Sequence, residues 1–159
     1  MRPTSLSRDL RKRIVLRLRE ATAELKAIGY KSRRISPKEF HNYMTGGTPT
    51  GDTITILDVL DNKFLMIHEV VEISELKKLG IPINEDTVMR GYPSPICETH
   101  YTATVREFDY ALRKRNYDWL KVRMKHAKSW LEDPDTPQHL VPKLEALIKK
   151  FSWVLKSSI

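Results

Sequence analysis

Between Phe64 and Ile73, seven of ten residues are apolar, and on a helix they point in every direction rather than along one stripe. A segment like this has no face to give to water. It predicts a central helix with partners on all sides, and the rest of the chain must supply elements amphipathic enough to cover it. The 159-residue length is sufficient for one domain with a core that needs no disulfides, and the single cysteine, Cys97, removes a disulfide scaffold from consideration. No apolar run exceeds the four residues Phe64 to Ile67, so neither a membrane span nor a signal-peptide core is expected. A cytoplasmic chain with no membrane partner is the reading that follows.

The surrounding pattern is helical throughout. Leu6, Leu10, Ile14, Leu18, Ala21, Leu25 and Ile28 recur at steps of three and four residues, and Gly29 ends that amphipathic helix. Ser36-Pro37-Lys38-Glu39 has the spacing of a capping box with proline at the first helical position, which predicts a short helix carrying Phe40, His41 and Tyr43 up to Gly46-Gly47. Thr48 to Asp52 reads as a turn. Asp52 or Thr53 is the expected cap of a long central helix reaching Leu79, stopped by Gly80 and Pro82. Residues 84–95 read as a loop. A second long helix is expected from Ile96 to Leu131, with Tyr101, Val105, Phe108, Leu112 and Trp119 along one face, and a last one from Pro142 to Leu155. The expectation is one all-α domain over 1–159, a bundle of about five helices around a buried central one, with 1–5 and 156–159 as disordered ends. No internal repeat points to a solenoid.

The central helix also carries the informative charges. At about 100° per residue, Asp61, His68, Glu72 and Glu75 fall in one narrow stripe, and Glu69 stands roughly a quarter turn away. A carboxylate on an apolar helix needs a cation, a proton or a metal as partner. An imidazole one turn from a carboxylate is half of a divalent-metal site. The alternative is an acidic stripe paired with arginines and lysines from elsewhere in the chain. His41 and His100 are further candidate ligands, although Glu98 and His100, two apart, diverge on a helix. His126 and His139 sit among polar neighbours and read as surface groups.

His41 followed by the His68-Glu69 doublet and a late Asp resembles the HD-domain phosphohydrolase superfamily. The likeness is greatest to its alarmone-hydrolase and deoxynucleotidase branches, where an acid follows the doublet at three residues, as Glu72 does here. Glu69 stands where that superfamily has Asp. The resemblance implies an all-helical metal-dependent phosphohydrolase: His41, His68 and Glu69 as ligands, Asp109 or Asp118 as the distal acid, and Glu72 orienting the attacking water. The ion would be Mn, Co, Ni, Zn or Mg, and the substrate a nucleotide or other small phosphate ester, with basic residues neutralising its phosphate. Glu69 and Glu72, three apart, are also similar to the first half of the Glu-x-x-Glu site of all-α nucleoside-triphosphate pyrophosphatases; the second half is missing. No P-loop, dinucleotide fingerprint, nucleophile elbow or Cys-x-x-Cys pair is present.

Charge is partitioned along the chain. Twelve basic residues face three acidic ones through Lys38, five face twelve from Glu39 to Asp109, and eleven face five from Tyr110 onward. The basic ends, with Tyr117 and Trp130 as candidate stacking partners for bases and Trp119 read as core because it lies on the apolar stripe, keep a second class of function open: a non-catalytic helical module that binds nucleic acid or a protein partner.

Overall fold

The computed structural model describes residues 5–49 and 54–157, and these form eight α-helices with no strand among them. The expected caps at Asp52 and Thr53 lie outside the described residues. In chain order the helices are α1 (Arg8–Ala27), α2 (Pro37–Thr45), α3 (Ile56–Leu60), α4 (Lys63–Lys78), α5 (Thr87–Gly91), α6 (Ile96–Arg113), α7 (Tyr117–Glu132) and α8 (Val141–Ser157). A 3₁₀ turn, Gln138–Leu140, leads into α8, so Lys156 and Ser157 close a helix.

Cap chemistry explains α1 and α2. Ser7 accepts from the Leu10 N–H to start α1, and its far end closes with Gly29 at φ 84° and the Tyr30 N–H returning to the Leu25 carbonyl. Ser36 and Glu39 exchange the two hydrogen bonds of a capping box at the head of α2. Gly46 then passes so close to the Glu85 carbonyl that a Cβ has no room there.

Three differences from the sequence expectation raise the count from about five to eight. The central helix is two: α3 ends at Asp61, and Asn62 restarts the chain as α4 by accepting from the N–H groups of Phe64 and Leu65. The expected second long helix is also two. Arg115 takes the left-handed φ of 55°, Asn116 returns its N–H to Ala111, and the Asn116 side chain caps α7. The short α5 occupies part of the expected loop. None of these breaks uses glycine or proline.

α4 is the axis of the molecule. Phe64, Met66, Ile67, Val70, Val71, Ile73 and Leu76 are all buried, covered mainly by α6 and by α1. The α6 face towards α4 carries Ala103 and Ala111, whose small side chains allow close approach. α7 and α8 pair with each other, and Phe151 stacks edge-on against Phe108 to join them to the core. Among the described residues, no helix is long and apolar enough to cross a membrane.

Candidate metal centre

His68 and Glu72 face α6 from successive turns of α4 and are 2% and 7% exposed. From α6, His100 and Glu107 face them; the two lie seven residues apart and so on one side of that helix. Burial of two carboxylates and an imidazole demands a full set of partners, and among the described residues no buried side-chain polar atom lacks one.

Glu107, fully buried, takes four N–H groups. His68 Nδ1 lies 2.8 Å from its Oε1 and an Arg123 terminal nitrogen 2.9 Å; Trp119 Nε1 lies 2.8 Å from Oε2 and Arg123 Nε 2.7 Å. The carboxylate therefore holds one His68 proton on Nδ1, so that it is the second proton, on Nε2, that a metal would displace. Once that proton is lost, the Nε2 lone pair is directed at Glu72 and His100.

There the geometry is unusual. His68 Nε2, His100 Nδ1 and Glu72 Oε2 are each 3.1 Å from the other two. Hydrogen bonds, which need near-linear N–H···O angles, cannot satisfy all three edges of so small a triangle. Three lone pairs converging on a cation can. The set is two histidines and one carboxylate. The other Glu72 oxygen is held by the Tyr43 hydroxyl from α2.

Without an ion, charge balances by protonation. Burial disfavours a charged His68, but its bonds to Glu107 and Glu72 outweigh that and raise its pKa to about 10. Burial likewise pushes Glu72 upward, and the two imidazoles pull it well below the ordinary carboxylate range. Glu107 is lowered against its burial by His68 and Arg123.

Glu72 and His100 line a cleft of about 340 Å³, walled also by Tyr43, Glu69, Tyr92, Cys97, Trp130 and Asp133 among others, while His68 is buried behind them. His100, its side chain 42% exposed, is the member most open to the cleft. No lysine or arginine lines the cleft among the described residues.

The structure thus brings together His68, Glu72 and His100 of the candidate residues, as a group able to hold a metal. Glu72, expected to orient water, supplies the carboxylate of the triangle. Glu69, expected as a ligand, is turned about 100° from His68 on the helix and lines the cleft beside it. His41 is buried in α2, outside the group. Asp109 is two residues past Glu107, about 200° around α6, and faces away from the triangle; Asp118 is exposed on α7. His126 lies on the surface beside Arg123, and His139 pairs with Glu98 at 2.9 Å. Sequence reasoning did not single out Glu107. Its signal is a Glu flanked at four residues by Ala103 and Ala111, on a face that is otherwise made for close packing.

The chain has no significant match among protein-family models, curated proteins or solved structures. What the centre does must be read from its own residues.

Proposed function

We propose that the protein is a metal-dependent hydrolase with a single divalent ion held by His68, Glu72 and His100. The observation that carries this reading is the triangle of mutual 3.1 Å contacts, backed by the buried Glu107 that engages His68 Nδ1 and so leaves Nε2 as the nitrogen for the ion. An ion held by these residues would supply Lewis-acid chemistry, activating water and polarising the group to be cleaved.

Glu69 is the general base. Ligands at i and i+4 of one helix with a carboxylate at i+1 are the arrangement by which metallopeptidase helices bind zinc and place the base beside it, and two histidines with one Glu are a ligand set that such enzymes use. His68, Glu69 and Glu72 have that spacing. In this reading Glu69 and Glu72 exchange the roles that the HD-like motif implies. With an ion held there, Glu69 would accept a proton from the attacking water and return it to the leaving group as the scissile bond breaks.

The cleft favours a neutral acyl substrate, an ester or amide, over a phosphate ester. Glu69 and Asp133 line its wall and no basic side chain does, so a phosphate dianion would meet repulsion with only the ion to offset it. The test is elemental analysis followed by turnover. About one equivalent of zinc, manganese, cobalt or nickel per chain is expected, with hydrolysis of acyl amides or esters that chelation abolishes. Glu69→Gln is expected to lower kcat at least 100-fold with metal content unchanged. Absence of bound metal after incubation with each ion refutes the centre. Metal-dependent cleavage of nucleotides but of no acyl substrate refutes the assignment of the scissile bond and supports the phosphohydrolase.

A further inference from the structure

Four of the cations of α1 stand apart from its acids. Taking Arg8 as origin and about 100° per residue, Lys12, Arg19 and Lys26 all lie within roughly 40° of it, a straight line of four charges about 27 Å long. All four are exposed. Asp9, Glu20 and Glu24 lie on the flank, about 100–160° around. The basic residues near that flank are consumed there or by neighbouring elements: Arg13 pairs with Asp61, Arg17 with Glu20 at 2.9 Å, and Lys114 reaches Glu24. Arg8, Lys12, Arg19 and Lys26 make no ion pair with a described carboxylate.

Alongside the C-terminal half of this line runs the connector between α1 and α2. The two enclose a groove of about 470 Å³ lined by Arg19, Thr22, Lys26, Ser32, Arg33 and Arg34, continuing into one of about 430 Å³ that adds Lys31. Neither groove has a carboxylate on its walls. The connector's backbone is held in place: the Arg33 N–H donates to Ser74, and Lys77 Nζ donates to the Arg34 carbonyl while pairing with Glu39. Its arginine side chains are exposed, on a backbone already ordered, so little is lost in fixing the walls when a ligand arrives.

We infer that α1 and the 31–34 connector form a binding surface for the phosphodiester backbone of a nucleic-acid duplex, without sequence specificity. An extended line of charges suits a polyanion of repeating phosphates; a small phosphate would occupy a fraction of it. Duplex is favoured over single strand because the groove offers no free aromatic face on which a base could stack: Tyr30, its one aromatic residue, is buried beneath Lys78 and Arg106. The surface shares no residue with the metal cleft.

The test is fluorescence anisotropy of the full chain with a labelled duplex of about 24 base pairs across a salt series. One phosphate contact from each of the five cations lining the two grooves, Arg19, Lys26, Lys31, Arg33 and Arg34, gives a log–log salt slope of about −4.5, hence an affinity several hundred-fold lower at about 200 mM than at about 50 mM salt. Arg19→Gln with Lys26→Gln removes about two contacts, so the slope is expected to fall to about −2.7 and the salt effect to about forty-fold. Lys125→Gln with Lys128→Gln, also exposed but on α7, is the charge-matched control and should leave the slope of the native protein. Three results would overturn the inference: no duplex binding at low salt, equal slopes for the two double variants, or preference for a single strand of the same length. Binding to phosphatidylserine vesicles with the same dependence on Arg19 and Lys26, in place of duplex, would assign the surface to a membrane.

Discussion

Glu107→Gln is the perturbation most sensitive to how the centre is built, because it keeps the shape and changes which hydrogens are where. The new amide nitrogen must replace one of two oxygens. At the Oε2 position it would face Trp119 Nε1 and Arg123 Nε, two donors that cannot accept. At the Oε1 position it faces one such donor, the Arg123 terminal nitrogen, and His68 Nδ1, which can accept if the ring changes tautomer. The second choice leaves fewer donors opposed. It also moves the His68 proton to Nε2, the atom that must present a lone pair to a metal. Two effects follow. Removing the charge beside Arg123, whose side chain is only 11% exposed, should cost about 3–5 kcal/mol in stability. Losing the orienting carboxylate should weaken metal binding about 10- to 100-fold, about 1.4–2.7 kcal/mol. Urea denaturation reads the first and competition with a chromophoric chelator the second. Adding Arg123→Met to Glu107→Gln should recover much of the stability and none of the affinity, since it relieves the unpaired charge without restoring the tautomer. Nitrogen-15 correlation spectra of the imidazole report the proton's position directly. A Glu107→Gln protein that binds zinc with native affinity, or whose His68 keeps its proton on Nδ1, would refute this account.

His100→Ala should lower metal affinity at least 100-fold while shifting the metal-free melting temperature little, because that ring is partly exposed and Glu72 keeps its bonds to His68 and Tyr43; equal loss of stability and affinity in calorimetry would contradict it. His68 has a folded-state pKa of about 10 against 6.5 for the free residue, so its stabilising effect in the metal-free protein is complete below about pH 6.5 and is lost as pH rises through about 10. Metal must displace that proton, so apparent affinity should rise about tenfold per pH unit between about pH 7 and 9, and a flat chelator-competition profile over that range would count against the assignment. Asn62→Ala removes the acceptor that separates α4 from α3 and should cost about 1 kcal/mol in denaturation, with a null result implying that α4 needs no cap there.

What the sequence discloses about this fold depends on how each boundary is made. α1 is readable from its periodic apolar face and its glycine, and α2 from Ser36, Pro37 and Glu39, because in both the local chemistry admits one outcome. The breaks after Asp61 and Arg115 are closed by asparagine side chains and a non-glycine residue in the left-handed region, and each such residue is ordinary inside a helix until tertiary packing makes the break worthwhile. The centre divides in the same way. His68 and Glu72 are visible as a pair because four residues on a helix are one turn, and the all-round apolar character of α4 already implied that they would be buried and need partners. Which partners is a question of register between α4 and α6, which no local pattern encodes. Once Ala103 and Ala111 bring α6 against α4, the residues one turn before and one turn after Ala103 on that face are His100 and Glu107, and they arrive opposite His68 and Glu72 together. His41, Glu69 and Asp109 have the right chemistry for ligands, but the triangle is selected by which helix faces meet.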